Sequence, residues 1–240
     1  MHPIICQIGP FTIYSYGFML ATAVFLCSFL ASREAPRFGI AKEVIFDLTF
    51  WIVLWGLMGA RVFYVFLNLS FFTAHPLEIF MIQKGGLAWQ GGLMAGFSSG
   101  VWFVRKRKLV LKLMLDFCAP YLALGQAIGR IGCFLNGCCY GKEVSWGVYF
   151  PVHQAYLHPT QLYEALGLLG IFFILKKQQR RNIQGSIFLI YLILASILRF
   201  FIEFVRADQL WTACGLSLNQ WISLMLMMAS VGLYFYLKRK

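Results

Sequence analysis

The sequence of 240 residues is 60% hydrophobic and only 12% charged, with a mean hydropathy of +0.72. A soluble domain is about half apolar and about a quarter charged, so this composition excludes a soluble protein and indicates an integral membrane protein. The formal net charge of +12 does not indicate a nucleic-acid partner, because the basic residues fall in short runs between apolar segments.

Apolar segments as long as a membrane-spanning helix recur along the whole chain. A helix needs about 20 apolar residues to cross the hydrocarbon core of a bilayer. Seven segments approach that length, and we predict a helix in each: 11–32, 44–68, 86–104, 110–130, 160–176, 185–205 and 217–237. The predicted fold class is therefore an all-α integral membrane protein with seven transmembrane helices, in which residues 1–240 form a single domain.

The basic residues predict the orientation of these helices. Fifteen of the 21 Lys and Arg residues lie in four segments on alternate connections: 33–42, 105–112, 176–181 and 238–240. Because loops rich in Lys and Arg stay in the cytoplasm, we predict an N-terminus outside and a cytoplasmic C-terminus. No basic stretch precedes the first helix, which favours a retained helix over a cleaved signal peptide.

Six ionisable residues lie within or at the outer ends of the predicted helices. They are Arg61, Arg130, Glu164, Arg199, Glu203 and Arg206. Charges at membrane depth are costly unless they line a cavity or have partners, so one interpretation is structural ion pairs, such as Arg199 with Glu203 one helical turn apart. The four arginines outnumber the two glutamates, however, and a guanidinium matches phosphate oxygens, so we also predict a phosphate-bearing ligand.

The segment GRIGCFLNGCCYG, residues 129–141, follows the fourth predicted helix and contains one arginine, one asparagine, three cysteines and four glycines. It is similar to the signature of prolipoprotein diacylglyceryl transferases. Five further segments resemble motifs of that family in the same order: HPIICQIGPFTIYSYG, GARVFYV, GGLAWQGGLMAG, HPTQLYE and LRFFIEFVR. The resemblance covers nearly the whole chain and implies seven helices with the N-terminus outside.

The resemblance implies an enzyme that transfers a diacylglyceryl group from phosphatidylglycerol to the lipobox cysteine thiol of preprolipoproteins. Glycerol phosphate leaves, the product is a thioether, and no metal or organic cofactor is required. The implied partners are phosphatidylglycerol, the lipobox signal peptides and membrane lipid. The implied location is the bacterial cytoplasmic (inner) membrane, with several membrane passes and the active site toward the outer face.

The matching motifs also imply the site residues. Arg130 and Arg199 would bind the phosphate and stabilise the leaving group, with Glu203 orienting Arg199. Histidine is the usual acid–base residue near neutral pH and His158 opens HPTQLYE, so His158 is the candidate base, although capping the fifth helix is an alternative role. Further substrate contacts would come from Tyr16, Arg61, Gln90, Asn136, Gly141, Glu164 and Arg206.

The sequence departs from the family pattern at four positions, of which one, Gln90, is among the site residues named above and three lie near such residues. Gln90 stands where the family usually has its favoured base, a histidine, and glutamine cannot usefully accept a proton at neutral pH. Cys133, Cys138 and Ala195 replace an asparagine, a glutamate and a tyrosine. Two alternatives stay open: a cysteine-bearing branch with the same activity, or a phospholipid-binding paralogue that is non-catalytic or altered in specificity. A transporter would need paired broken helices or an inverted repeat, and the sequence has neither.

The chain has seven cysteines, and an odd number excludes complete pairing within one chain. Three interpretations stay open for Cys133, Cys138 and Cys139. They are packing residues of a tight loop, or Cys133 forms a disulfide with one of the other two, or all three bind zinc together with His153 or His158.

Overall fold

A computed structural model describes residues 1–8, 11–81, 85–179, 185–207 and 213–239, and these are mostly helical. The helices are α1 (Ser15–Glu34), α2 (Lys42–Leu67), α3 (Leu69–Ala74), α4 (Trp89–Lys106), α5 (Leu111–Asn136), α6 (Thr160–Gln178), α7 (Ser186–Glu203) and α8 (Leu218–Arg239). All except α3 have at least 18 residues. Each of the seven predicted helical segments overlaps one of these long helices.

Five helical segments in the described part of the chain are long and apolar enough to cross a membrane: Ser15–Phe38, Lys42–Leu67, Leu111–Asn136, Ser186–Glu203 and Leu218–Arg239. The other two long helices, α4 and α6, each carry a pair of basic residues in the last turn, and α6 also carries Glu164. Large apolar side chains face outward along the bundle; Phe25, for example, is 69% exposed. Such exposure is expected of helices whose solvent is lipid.

Two short β-hairpins correct the all-α prediction. Strand β1 (Ile4–Ile8) pairs antiparallel with β2 (Phe11–Tyr14), and β3 (Glu143–Phe150) pairs antiparallel with β4 (Ala155–Leu157). The first predicted helix therefore began four residues too early, because β2 precedes the true start at Ser15. Thr12 and Ile13 are β-branched and favour a strand, but a short apolar run cannot be told from a helix by its pattern alone.

The described chain divides into two compact units. The signature unit comprises Met1–Ala31 and Leu115–Lys240, and the α2–α4 unit comprises Ser32–Met114. Within the α2–α4 unit, the two long helices approach closely at glycines: a Cβ added to Gly91 would clash with the backbone of Gly59 and the side chain of Phe63. Small residues at such positions are the usual means of packing helices inside a membrane.

The core of the signature unit lies between α5, α6 and α7. Its buried residues are Ala119, Ala123, Ala127, Leu168, Ile171, Leu175, Ile187 and Tyr191. The three alanines recur every fourth residue on one face of α5, where small side chains let a neighbouring helix approach. This packing brings together the three helices that carry Arg130, Glu164, Arg199 and Glu203.

Helix α5 is longer than predicted and includes most of the signature. We predicted its end at residue 130, but it continues to Asn136 and ends at Gly137, whose φ is +75°. The Cys138 amide donates to the Cys133 carbonyl (3.2 Å) and the Gly137 amide to the Phe134 carbonyl (3.1 Å), which is the hydrogen-bond pattern of a Schellman C-cap. The prediction that the signature follows the helix is therefore wrong. The first eight residues of the signature form the last two turns of α5.

Candidate active site

Five charged residues of the signature unit form one continuous chain of ion pairs, which we name the arginine–glutamate network. Nη2 of Arg130 lies 2.8 Å from Oε1 of Glu164, and Nη1 of Arg199 lies 3.6 Å from Oε2 of Glu164. Nη2 of Arg199 lies 2.8 Å from Oε2 of Glu203, and Nε of Arg206 lies 3.8 Å from that same oxygen. Positive and negative groups thus alternate from α5 through α6 to the end of α7.

Burial divides the network into a hidden and an accessible part. The side chain of Glu203 is 1% exposed and that of Glu164 is 9% exposed, whereas Arg130 and Arg199 are 26% and 23% exposed. The three arginines and two glutamates leave one net positive charge. Because the two carboxylates are the more deeply buried groups and the side chains of Arg130 and Arg199 are partly exposed, the arrangement can receive an anion.

The deepest carboxylate of the network is fixed by residues at the start of α8 that sequence analysis missed. Oε1 of Glu203 accepts hydrogen bonds from Oγ of Ser217 (3.0 Å) and Nδ2 of Asn219 (2.8 Å). The Ser217 amide donates to Oε1 of Gln220 (2.9 Å), and the Gln220 amide donates to Oγ of Ser217 (3.2 Å). This reciprocal pair is a capping box, and its Ser-x-x-Gln pattern before an apolar run was readable in the sequence.

Gly141 joins the end of the signature to the end of α7. Its amide donates to the His158 carbonyl (2.9 Å), and Gly141 and Arg206 form an antiparallel β-bridge. A Cβ at this position would lie 2.5 Å from Cβ of His158 and 2.7 Å from the Val205 carbonyl oxygen. The described contacts therefore explain the glycine by close backbone approach, and its predicted contact with substrate stays a prediction.

The HPTQLYE motif holds the turn that contains Cys138 and Cys139. Oγ1 of Thr160 donates to the Cys139 carbonyl (2.7 Å), and Nε2 of Gln161 donates to the Cys138 carbonyl (2.5 Å). Thr160 and Gln161 are fully buried in the first turn of α6, so the turn has a rigid support. The same helix then presents Glu164 to the arginines.

His158, the predicted base, is half-buried beside aromatic residues. Its Nδ1 lies 3.3 Å from the hydroxyl of Tyr163, and its ring meets the Trp146 ring edge-on at a centroid distance of 4.8 Å. Within the described part of the chain, the hydrogen bond and ring contacts of the His158 side chain are with Tyr163 and Trp146, and not with Arg130 or Arg199. Its role as the base stays a prediction.

The three signature cysteines are brought together as free thiols. The Sγ atoms of Cys133, Cys138 and Cys139 all lie within 4.8 Å of one another, and each residue is partly buried. The structure thus has the thiol form and not the predicted disulfide alternative. Neither His153 nor His158 joins the cluster within the described residues; the ring of His153 lies 4.0 Å from that of Tyr140.

Charge and hydrogen bonding act together on Cys139, which follows the end of α5. Hydrogen bonds with the Cys133 and Cys138 thiols, helped by the nearby charges of Arg206 and Arg130, lower the pKa of the Cys139 thiol below its ordinary value, although burial opposes this. Cys139 also has a left-handed backbone with a φ of +61°, which a non-glycine residue rarely adopts. The cysteine turn is thus held in a specific conformation beside the network's arginines.

Tyr16 and Asn136 lie near this turn at the ends of two helices. Tyr16 is in the first turn of α1, where a Cβ added to Gly132 would lie 3.4 Å from its ring. Asn136 is the last residue of α5, and its side chain hydrogen-bonds the Cys138 thiol. Their contacts with substrate stay predictions.

Arg61 and Gln90 belong to the α2–α4 unit and are described within it. Arg61 is buried, and its guanidinium donates to the backbone carbonyls of Ile79 (2.9 Å), Gly85 (2.7 Å) and Gly86 (2.9 Å). These contacts favour a role in positioning the connection before α4. Gln90 is exposed in the first turn of α4. The substrate contacts predicted for both residues stay predictions.

Comparison with known proteins decides the family. The family model for prolipoprotein diacylglyceryl transferase matches residues 3–236. The chain belongs to the prolipoprotein diacylglyceryl transferase family. The resemblance identified from the sequence motifs is thereby confirmed.

Members of this transferase family align with the chain from end to end. The protein of Geobacillus kaustophilus is 38% identical over 98% of this chain and 92% of its own length. Those of Bacillus velezensis and Lactobacillus johnsonii are each 34% identical over 100% of this chain, and the alignments cover 93% and 91% of their lengths. All three are named phosphatidylglycerol–prolipoprotein diacylglyceryl transferase. Membership of this family and the five apolar helices make the chain a multi-pass membrane protein.

Proposed function

We propose that this protein transfers the diacylglyceryl group of phosphatidylglycerol to the lipobox cysteine thiol of preprolipoproteins. The thiol sulfur forms a bond to the glycerol carbon, the bond from that carbon to the phosphate oxygen breaks, and glycerol phosphate leaves with the electron pair. Full-length similarity to relatives that bear the name of this activity supports the proposal. The alternative, a non-catalytic phospholipid-binding paralogue, has no separate support in the described contacts.

The observation that carries the proposal is the arginine–glutamate network. Glu164 holds Arg130 and Arg199 together, and both arginine side chains are partly exposed. Nη1 of Arg199 lies 3.6 Å from Oε2 of Glu164, which is beyond hydrogen-bond distance, so this nitrogen keeps the capacity to donate to a phosphate oxygen. The pair therefore supplies fixed donors where negative charge develops on the departing phosphate.

The other members of the network act on the arginines and not on the substrate. Glu203 is fully buried and already accepts from Ser217 and Asn219, so it has no free face for a lipid headgroup. We assign Glu203 to orienting Arg199, and Arg206 to completing the charge balance around Glu203. Such preorganised donors need no rearrangement when the leaving group becomes charged.

We also infer that all seven long helices cross the membrane, with the N-terminus outside and the active site toward the outer face of the bacterial inner membrane. The support is that α4 and α6 have 18 and 19 residues and carry basic pairs in their last turns, Arg105–Lys106 and Lys176–Lys177, which fits the alternation of basic residues along the sequence. Labelling of single introduced cysteines from either side of the membrane tests this topology.

The experiment that tests the function uses purified protein, phosphatidylglycerol and a lipobox peptide. Mass spectrometry should find a peptide that has gained one diacylglyceryl group, and glycerol phosphate should appear in equal amount. A peptide with serine in place of the lipobox cysteine is the matched control and should stay unmodified. Binding of phosphatidylglycerol without any modified peptide, across several lipids and acceptor peptides, would favour the non-catalytic paralogue.

A further inference from the structure

The thiol cluster of Cys133, Cys138 and Cys139 has no part in the phosphate chemistry described above. It is nonetheless a built site. The C-cap of α5 places Cys138 against Cys133, and the buried side chains of Thr160 and Gln161 anchor the carbonyls of Cys139 and Cys138. Three sulfur atoms within 4.8 Å of one another are therefore held on a supported turn and are not three independent surface thiols.

This spacing suits three ligands of one tetrahedral metal ion. Zinc–sulfur bonds of about 2.3 Å at tetrahedral angles place the sulfur atoms about 3.8 Å apart, so small side-chain rotations would be sufficient. Thiolates select soft or borderline metals such as zinc. Among the described His, Cys, Asp and Glu residues, no fourth ligand joins the three cysteines. Three protein ligands with an open fourth position are the pattern of catalytic zinc sites, whereas structural sites are closed by four.

We propose that Cys133, Cys138 and Cys139 bind one Zn²⁺ ion whose open position takes the lipobox cysteine thiol of the acceptor. This inference rests on the proposed function. On binding, the acceptor thiol exchanges its proton for a bond to zinc, and the proton passes to water. The zinc-bound sulfur then attacks the glycerol carbon, glycerol phosphate leaves with the electron pair of the broken C–O bond, and the neutral thioether dissociates from the metal.

Zinc would supply what this sequence lacks at position 90. Gln90 cannot accept a proton, and a free thiol with a pKa of about 8.5 is only about 3% thiolate at pH 7. A thiol that coordinates a metal ion is deprotonated outright, so no side-chain base is needed. The location fits as well, because Cys133 lies three residues after Arg130 and on the same face of α5. The activated sulfur would therefore be close to the arginine that binds the phosphate.

Metal binding is measured first, on the full-length protein purified under argon with a phosphine reductant. The wild type should bind one equivalent of Zn²⁺ or Co²⁺, and the Co²⁺ complex should show sulfur-to-metal charge transfer. Cys133→Ser, Cys138→Ser and Cys139→Ser should each weaken binding at least tenfold. Cys214→Ser is the matched control, because Cys214 is exposed and outside the cluster, and it should bind as the wild type does. Equal binding by wild type and the cluster variants would overturn the proposal.

The open position is tested on the wild type, so no variant has to fold. Adding a lipobox peptide to the Co²⁺ protein should intensify the charge-transfer band as a fourth sulfur binds, and the serine peptide should leave the spectrum unchanged. Identical spectra with both peptides would refute the role of the open position.

Activity separates this inference from the proposed function. Removing zinc with a chelator should lower the transfer rate about tenfold, since the gain in thiolate fraction is partly offset by the lower nucleophilicity of a stabilised thiolate. Adding zinc back should restore the rate. Full activity in the metal-free protein contradicts the zinc site and leaves the proposed function intact. No transfer with or without zinc, in a protein that binds the metal as predicted, contradicts the proposed function.

Discussion

Arg61 and Arg199 are both arginines within membrane helices, but their partners differ. Arg61 directs its guanidinium at backbone carbonyls, which are neutral acceptors fixed in the chain, and it is buried. Arg199 lies between two carboxylates, remains partly exposed, and keeps one buried donor without a hydrogen-bond partner among the described residues. An arginine at membrane depth is therefore not by itself a ligand site. Whether such an arginine positions the backbone or binds an anion depends on two things: the chemical kind of its partners, and the number of guanidinium N–H groups that those partners leave without a hydrogen bond.

The largest expected effect concerns the carboxylate that fixes Arg199. Glu203→Gln removes a buried negative charge from between two arginines, and breaking a buried ion pair typically destabilises a protein by about 3–5 kcal/mol. We expect a lower unfolding temperature in detergent and a loss of transfer activity in the fraction that stays folded. Glu143→Gln, an exposed glutamate on β3, is the control and should change neither property. A stable and fully active Glu203→Gln protein would show that Glu203 is not needed to orient Arg199.

The next effect concerns the phosphate-binding arginines themselves. Arg130→Ala should lower kcat/KM for transfer about 10²–10³-fold, by analogy with removal of one donor to a developing oxyanion. Arg130→Lys should also be strongly impaired, because lysine keeps the charge but loses the two-pronged donor geometry. Steady-state rates over a range of phosphatidylglycerol concentrations measure both. Full activity in the lysine variant would show that charge alone is sufficient.

Arg61→Ala tests the other side of the comparison. The alanine variant leaves buried carbonyl groups without the guanidinium donor. Each carbonyl that stays unsatisfied lowers the free energy of unfolding by about 1–3 kcal/mol, so we expect a clear loss of thermal stability. Activity per folded molecule should fall much less than in Arg130→Ala. The measurement compares the loss of stability, taken from unfolding curves, with the loss of activity, normalised to the amount of folded protein. If activity falls a hundredfold at unchanged stability, Arg61 contacts the substrate as the sequence resemblance implied.

The smallest expected effect concerns the capping box of α8. Ser217→Ala removes the N-cap hydroxyl and one donor to Glu203, and the loss of an N-cap typically costs about 1 kcal/mol. We expect a modest drop in the unfolding temperature and a reduction in activity of a few-fold. Ser217→Thr retains the hydroxyl and should recover most of both. An alanine variant with wild-type stability would show that water replaces the hydroxyl.

Part of the site was predictable because it is local in sequence. The pair Arg199–Glu203 follows from a spacing of four residues on one helix, and the structure confirms it at 2.8 Å. The pair Arg130–Glu164 joins α5 to α6 and depends on how those helices pack, which no spacing rule gives. The thiol cluster was equally hard to predict from spacing, because the left-handed backbone of Cys139 and the C-cap of α5 decide where the three sulfur atoms meet.

The fold shows the same division between local pattern and tertiary context. Seven apolar segments predicted the positions of seven long helices, since hydrophobic length is a strong signal. The hairpin at Ile4–Tyr14 and the last two turns of α5 were missed because β2 looks like the start of a helix, and because Gly129 and Gly132 look like a loop. Gly132 instead lies within the helix and packs closely against Tyr16 and Met19 of α1.

The central claim is that Arg130 and Arg199 bind the phosphate that leaves during diacylglyceryl transfer, whereas Arg61 does not. The most direct measurement is the single-turnover rate of transfer from saturating phosphatidylglycerol to a lipobox peptide, for wild type, Arg199→Ala and Arg61→Ala, each normalised to folded protein. The account predicts a rate about 10²–10³-fold lower for Arg199→Ala and within a few-fold of wild type for Arg61→Ala. Equal rates for Arg199→Ala and wild type would contradict it.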